Sequence, residues 1–259
     1  MASISRFVTI SVDDGHPTDL RTAELLTKYG LKATFYVPAQ NPERIVISED
    51  GLREIAKAFE LGGHTMGHVV LNSVPREQAW AEITECKRWL EDLSGRRVAS
   101  FCYPRGKFDR GIAELVRKAG FSGARTCFFN LNEFPRDPFL WGVSSHAHPH
   151  SHANQMKHAL WEGNFAGAWN YWRTHRGERE WAPHFRSALE HVSQHGGIAH
   201  LYMHSWEIEQ MSQWEALENI FQEITQRPEL VPATNGELFD MWQFHSQKDQ
   251  SMQAESVSR

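Results

Sequence analysis

Short apolar segments rich in β-branched residues alternate with helical segments along most of this 259-residue chain. Alternation of this kind predicts parallel strands joined by helical crossovers. The predicted strands are Arg6–Val12, Lys32–Val37, Val98–Tyr103, Phe121–Thr126, Leu140–Ser144 and Gly197–Met203. A count of roughly six to seven strands favours an α/β fold, an irregular (β/α) barrel of about seven parallel strands, over a doubly wound open sheet.

Helix-start and helix-stop residues occupy the intervals between these strands. A helix is predicted near 17–29, and the pair Gly62-Gly63 is expected to end another. Predicted helices therefore run from Ser48 to Leu61, from Pro75 to about Leu93 and from Asp109 to Ala119. Near the carboxyl end, two capping boxes predict two more helices, Ser212 with Glu215 and Thr234 with Glu237.

Residues 145–196 interrupt the alternation, because they carry no strand signal. We interpret this segment as a helical insertion near the mouth of a site. Its histidine-rich run, His146–His152, is open to two interpretations, a second metal site or a solvated loop. Its tryptophans could line a sugar-binding cleft, fill a helical core or bury against a second subunit, so a homodimer stays open.

Chain length and composition restrict the class of protein. We predict a single domain over 1–245 and a disordered polar tail over 246–259. The formal charge is −5 without a basic block, which argues against nucleic acid as a partner. No apolar run approaches the ~18 residues of a membrane span. Met1–Arg6 leads directly into the first strand without signal-peptide features, and the three cysteines form no disulfide or metal spacing. We therefore expect a cytoplasmic protein.

Two histidines and a carboxylate pair predict a metal centre. Asp13 and Asp14 close the first strand, and His64 and His68 follow about fifty positions later. Two imidazoles and one carboxylate are a typical ligand set for a catalytic divalent metal that keeps an open coordination position. The second carboxylate is suited to activating a water molecule. Alternative interpretations are an Asp-Gly turn and two surface histidines, but the combination favours a metal-dependent hydrolase.

Five motifs in order make the chain similar to the polysaccharide deacetylase family, the carbohydrate esterases related to nodulation chitooligosaccharide deacetylases. The motifs are Ser11–Gly15, Lys32–Val37, His64–His68, Phe101–Gly106 and Leu201–Glu207. The resemblance extends over roughly residues 6–244 and is more specific than any single motif.

The resemblance implies a role for each matching position. Asp14, His64 and His68 would bind a divalent metal, usually zinc. Asp13 would be the general base on the metal-bound water, and His204 would be the general acid for the leaving amine.

Further positions are implied to contact the substrate. These are Tyr103, Pro104, Arg105 and Tyr202. The backbone N–H of Arg105 falls where the family donates to the oxyanion, and Tyr202 would line the acyl pocket.

The chain departs from the family pattern at several positions. Cys102 occupies the place of the arginine that usually holds the catalytic base. Arg125 is our candidate replacement, with a surface salt bridge as the alternative. The carboxylate that orients the acid histidine has no clean match, and Asp137 and Glu207 are possible stand-ins. Arg105 replaces a tyrosine, and the added positive charge would suit a phosphate-linked sugar.

The predicted function is hydrolysis of an N-acyl group, most simply N-acetyl, from an amino sugar or a cytoplasmic polysaccharide precursor. A bound divalent ion can lower the pKa of its water to about 7, and expulsion of an amine needs a proton donor. The alternatives are a deformylase or cyclic-amide hydrolase of the same family, and an inactive carbohydrate-binding homologue.

Overall fold

Parallel strands form the centre of the molecule in the computed structural model, which describes residues 5–244. The strands are β1 (Arg6–Asp13), β2 (Thr34–Val37), β3 (Glu60–Gly63), β4 (Ser100–Cys102), β5 (Gly123–Arg125), β6 (Ser145–His146), β7 (Gly197–Met203) and β8 (Val231–Pro232). Seven follow the order β5-β4-β3-β2-β1-β7-β6, and the short β8 pairs beside β1. The sheet is a curled half-barrel surrounded by helices, which confirms the predicted fold class.

Helices cover the sheet and connect its strands. They are α1 (Asp19–Lys28), α2 (Glu49–Ala58), α3 (Arg76–Ser94), α4 (Arg110–Lys118), α5 (His152–Trp161), α6 (Phe165–Arg173), α7 (Trp181–His195), α8 (Ser205–Gln210) and α9 (Trp214–Thr225). A last helix is described over 235–244. Within the described part of the chain, no helix has the length and apolarity needed to cross a bilayer. The predicted disordered tail lies outside the described residues.

Strand β1 lies in the interior of the sheet and is buried along nearly its whole length. It pairs with β2 on one side and with β7 on the other. Every residue from Phe7 to Asp13 is buried. A parallel strand that is covered on both faces has no solvent side, so Thr9 and Ser11 are buried together with the apolar residues between them. The same placement holds the last residues of β1 at the centre of the carboxyl edge of the sheet.

Several predicted caps are present in the structure. The Ser48 side chain accepts a hydrogen bond from Gly51 N, and the Asp109 side chain accepts one from Ile112 N. The Thr234–Glu237 capping box forms both of its reciprocal hydrogen bonds, at 2.9 and 3.2 Å.

The predicted capping box at Ser212 and Glu215 is wrong. Helix α9 begins at Trp214, and its cap residue Gln213 makes no side-chain capping bond. Ser212 instead adopts a left-handed backbone, with φ 55°, in the turn that follows α8.

The glycine pair after α2 was assigned the wrong structure. Helix α2 ends at Ala58 rather than Leu61, and Glu60–Gly63 forms β3. A Cβ on Gly62 would lie 2.5 Å from the Tyr36 ring, so close packing explains this glycine. Since glycine supplies no apolar pattern, the strand left no periodic signal.

The sixth strand also differs from the prediction. Residues Pro138–Leu140 form a 3-10 turn, and the strand is Ser145–His146 rather than Leu140–Ser144. His146 pairs with Tyr202 of β7. The expectation that 145–196 contains no strand is therefore wrong, because backbone pairing with β7 is independent of the polar side chains here. Helices α5 to α7 occupy the rest of the segment.

Candidate active site

The predicted site residues lie together at the carboxyl edge of the sheet. Asp13 ends β1, Arg125 ends β5, and His64 and His204 directly follow β3 and β7. Because all paired strands are parallel, these ends share one edge, where ligands bind in open α/β sheets. They surround a cavity of about 290 Å³. The lining residues are Asp13, Asp14, Glu43, Arg44, His64, His68, Tyr103, Arg105, Cys127, His146, Tyr202, His204, Trp206 and Glu207.

Asp14, His64 and His68 are brought together as a possible metal site. Asp14 Oδ1 is 3.2 Å from His68 Nε2 and 3.8 Å from His64 Nε2. One ligand atom from each residue lies within 4.8 Å of the others. Asp14 Oδ1 is buried and makes no hydrogen bond within residues 5–244. An unpartnered carboxylate oxygen facing two imidazole nitrogens fits a divalent cation.

The surroundings of His64 keep it suitable as a ligand. Its Nδ1 donates to the carbonyl of Cys102 at 2.9 Å, which leaves Nε2 facing the cavity. Burial is the main cause that lowers the pKa of His64, to about 4. A neutral imidazole whose other nitrogen is held by a carbonyl is the form that binds metals.

The backbone is strained around this cluster. Asp14, Thr65 and His68 all have positive φ, at 77°, 65° and 53°. Non-glycine residues reach this region at a cost of roughly 1–3 kcal/mol each, and such positions concentrate at functional sites. The strain occurs at two of the three candidate ligands.

The second oxygen of Asp14 is held by a neighbour that the sequence interpretation missed. Trp206 Nε1 donates to Asp14 Oδ2 at 3.1 Å. The Arg44 guanidinium lies 3.3 Å from the centre of the Trp206 ring. Burial raises the pKa of Asp14, but the close approach of the His68 imidazole and the charge of His204 outweigh it and hold the pKa well below its ordinary value. Asp14 is therefore oriented, with Oδ1 left for another partner.

Arg125 is ion-paired with Asp13 inside the protein. Its Nη2 donates to Asp13 Oδ2, and the side chain has no exposed surface. The alternative of a surface salt bridge is therefore wrong. Burial raises the pKa of Asp13, but Arg125 offsets this and lowers it below the usual value. Asp13 Oδ1 makes no hydrogen bond to any described residue. The Cys102 thiol lies 3.6 Å from the same carboxylate, where the family's usual arginine would reach.

His204 sits between two carboxylates. Its Nδ1 donates to Glu207 Oε2 at 2.8 Å, and its Nε2 lies 3.8 Å from Asp14 Oδ2. Burial lowers the pKa of His204, but the hydrogen bond that it donates to Glu207 and the nearby carboxylates raise the pKa above its ordinary value. Of the two suggested stand-in carboxylates, Glu207 contacts His204, whereas Asp137 pairs with Arg117.

The histidine-rich run extends this network. His146 Nε2 lies 2.9 Å from Glu207 Oε2, and its Nδ1 lies 2.9 Å from His150 Nε2. Since Glu207 can only accept, His146 carries its proton on Nε2, and His150 must then donate to His146 Nδ1. His152 turns away to the Tyr171 hydroxyl at 2.7 Å. The alternating histidines gave a signal here, but the sequence interpretation did not connect them with His204.

Tyr202 and Tyr103 form part of the cavity wall. Tyr202 stacks on His146, with ring centres 4.2 Å apart, and the Arg125 guanidinium lies 4.4 Å from the Tyr202 ring. Tyr103 donates from its hydroxyl to the Phe139 carbonyl at 3.2 Å, so its polar group is already used.

Arg105 and Pro104 belong to a 3-10 turn. Pro104 is buried and is absent from the residues that line the cavity. Arg105 has φ 55° and forms an ion pair with Glu43 on the cavity rim. The pairing offsets the positive charge that Arg105 was expected to add.

Comparison with known proteins supports the resemblance. Residues 3–124 match the family model of polysaccharide deacetylases. YxkH from Bacillus subtilis (strain 168), a protein named as a polysaccharide deacetylase, is 25% identical over 117 residues. The match covers 44% of this chain and 42% of YxkH, so it spans less than half the length of that curated relative.

Solved structures share the fold along nearly the whole chain. A Mycobacterium smegmatis protein named as a polysaccharide deacetylase superposes with a TM-score of 0.64 at 12% identity, covering 95% of this chain and 93% of its own. PdaA from Bacillus subtilis, a family 4 carbohydrate esterase, has a TM-score of 0.58 at 13% identity, with 92% and 82% covered. The Bacillus subtilis peptidoglycan deacetylase PdaC has a TM-score of 0.55 at 16% identity, with 96% and 97% covered. The predicted resemblance to the polysaccharide deacetylase family is confirmed.

Proposed function

Because the chain resembles polysaccharide deacetylases in sequence and in fold, we propose that it is a metal-dependent hydrolase that removes the N-acetyl group of an amino sugar. One observation carries the proposal. The residues Asp13, Asp14, His64, His68 and His204 all line one cavity, with Asp13 beside His64 and His204 beside Asp14. This is the arrangement that amide hydrolysis needs, with a base and an acid beside a cation.

The candidate ligands would hold a divalent cation, for which two imidazoles and a carboxylate suit zinc. When bound, such a cation polarises the acyl carbonyl and makes water acidic near neutral pH. Asp14 would bind the cation through Oδ1, because its Oδ2 accepts a hydrogen bond from Trp206. His64 would bind the cation through Nε2, because its Nδ1 donates a hydrogen bond to a backbone carbonyl.

Asp13 would act as the general base. Arg125 holds its Oδ2, which leaves the buried Oδ1 free to take a proton from the attacking water. Arg125 also keeps the carboxyl ionised, which a base requires. In this role Arg125 is a positioning residue that substitutes for the arginine missing from the third motif.

His204 would act as the general acid. The hydrogen bond from Nδ1 to Glu207 directs Nε2 toward the cavity, where a leaving amine would take its proton. The raised pKa of His204 keeps more of it protonated near neutral pH. His146 also donates a hydrogen bond to Glu207, and His150 donates one to His146.

The acyl pocket favours a small group. Tyr202 is buried and stacked against His146, so it closes the cavity on that side. A pocket with this wall would accommodate an acetyl or a formyl group. The second candidate function is therefore removal of a formyl group or opening of a cyclic amide. The cytoplasmic location and the choice between a polymer and its precursor stay predictions.

The test combines metal analysis with a substrate panel. Zinc-loaded protein should release acetate from N-acetylglucosamine oligosaccharides or from a sugar nucleotide carrying the same group, and formyl and ureide compounds form the other arms. Asp13→Asn should abolish turnover and keep the metal content. Absence of acetate release from every N-acetylated sugar by the metal-loaded protein would contradict the proposal and favour the inactive carbohydrate-binding alternative.

A further inference from the structure

Five large apolar side chains are exposed together on helices α5 and α6, and we call them the aromatic face. They are Leu160, Trp161, Phe165, Trp169 and Trp172, with exposed fractions of 59%, 76%, 69%, 65% and 53%. Single exposed apolar residues are ordinary, but five of them between Leu160 and Trp172, on two consecutive helices, indicate an interaction site. None of the five lines the candidate active site.

The aromatic face follows one side of a helix. Phe165, Trp169 and Trp172 are separated by four and three residues, so their side chains share one side of α6. Leu160 and Trp161 end α5 directly before it. Tyr171, on the other side of α6, is fully buried and already provides the contact with the protein interior. On the exposed side of α6, Trp172 stacks on His152 with ring centres 5.4 Å apart, and more than half of the surface of Phe165, Trp169 and Trp172 stays exposed.

The exposed area is close to one half of a stable interface. At about 200 Å² for a large side chain, the five residues leave on the order of 600 Å² accessible. A standard protein–protein interface buries about 800 Å² on each partner. Tryptophan and phenylalanine are also the residue types enriched in the buried centre of such interfaces.

Two polar side chains of α6 and its cap, Asn164 and Asn170, are already engaged within the chain. Asn164 donates to the Phe129 carbonyl and accepts from Gly167 N, and Asn170 donates to the Asn130 carbonyl. A sugar site needs a few well-placed polar groups beside its flat rings. The aromatic face instead combines rings with an aliphatic side chain on a convex helix, which favours a protein surface as its partner.

We propose that the aromatic face is the interface of a homodimer, with a second copy of this chain as its occupant. A two-fold axis would place α6 against its own copy, and two-fold dimers are the commonest soluble oligomers. None of the five side chains is charged, so the pairing would bring no like charges together at its centre. Lys157, whose ammonium lies 4.5 Å from the Trp161 ring, would belong to the rim.

Sedimentation velocity of the full chain tests this dimer, across concentrations on the order of 1–100 µM. The unmodified protein should sediment as a dimer. Trp169→Glu should raise the dissociation constant roughly 30-fold or more, as expected for a central interface residue. Phe165→Glu provides a second disruption, and Trp80→Glu on α3, which is 40% exposed, is the matched control that should leave the dimer intact. Circular dichroism should show all three variants folded.

Three outcomes would overturn the proposal. The unmodified protein could remain monomeric throughout the concentration range. A dimer could persist in both face variants. Finally, the protein could be a monomer whose electrophoretic migration is retarded by a soluble N-acetylglucosamine polymer. If Trp169→Glu removed that retardation, the aromatic face would be a glycan-binding surface instead. Since sedimentation does not depend on turnover, the dimer and the proposed function can fail independently.

Discussion

Replacing Arg125 with methionine should destabilise the protein strongly, because it leaves the Asp13 carboxylate buried without its cation. Both side chains are almost fully buried, at 0% and 5% exposed. Removing one partner of a buried pair costs roughly 3–5 kcal/mol, whereas exposed pairs are worth about 0.2–1 kcal/mol. The guanidinium also lies over the rings of Tyr202 and Tyr36, which adds a cation–π contribution. We expect a loss of about 4 kcal/mol in the free energy of unfolding.

The loss should depend on pH. In the unmodified protein the pKa of Asp13 is lowered, so the pair contributes stability above the unfolded carboxyl pKa of about 3.9 and loses it as pH falls through the folded value. Without Arg125, burial outweighs the smaller influences of His64 and His204, and the pKa of Asp13 rises. The difference between the two proteins is therefore largest above the raised pKa of the variant and shrinks as the pH falls from there to the lowered pKa of the unmodified protein.

Urea unfolding with a chelator present measures this effect, because no bound cation then compensates the Asp13 charge. Two matched variants separate charge from packing. Asp13→Asn combined with Arg125→Met removes both charges and should recover most of the loss. Arg117→Met breaks an exposed pair with Asp137, at 39% and 38% exposed, and should cost less than about 1 kcal/mol.

Two results would refute this reasoning. Arg125→Met could cost no more than Arg117→Met, which would mean that the buried pair contributes no more than an exposed one. Alternatively, the double variant could be as unstable as Arg125→Met alone. The loss would then come from packing of the long arginine side chain, and Asp13 would not need a cation.

Three further predictions concern the site. His146→Phe keeps the stack on Tyr202 but removes the donor to Glu207, so kcat should fall roughly 10-fold with little change in KM. His146→Gln restores a donor and should recover kcat; equal rates for the two variants would limit His146 to packing. Glu207→Gln removes the main influence that raises the pKa of His204, so the alkaline limb of the kcat–pH profile should move to lower pH; an unmoved limb would contradict the assignment of the acid. Chelation should lower the melting temperature and zinc should restore it, since a cation at 100 times its Kd stabilises by about 2.7 kcal/mol; calorimetry without any zinc-dependent shift would contradict the metal site.

Much of the fold could be predicted because buried strands and helices have recognisable patterns of apolar residues in the sequence. Gly197–Met203 is predicted with the bounds that β7 has, since a strand covered on both faces is mostly apolar. β3 could not be found in this way. Its Glu60–Gly63 sequence contains two glycines. Gly62 is needed because the ring of Tyr36 packs closely against it, and Tyr36 belongs to another strand.

The candidate site divides in the same way. The residues Asp13, Asp14, His64 and His68 stand in local motifs, and a local motif can be read without knowing the fold. Arg125 has no motif around it, so the sequence left its partner open between Asp13 and the surface.

The sequence alone determined which candidate site residues reach the carboxyl edge, because the spacing of strands and motifs along the chain decides what lies there. The pairings across that edge were decided only by the tertiary structure. Arg125 and Asp13 are 112 positions apart and His146 and Glu207 are 61 apart, yet each pair is in hydrogen-bond contact. Parallel strands bring their ends together regardless of separation along the chain, so partners at that edge follow from the strand order, which no local pattern records.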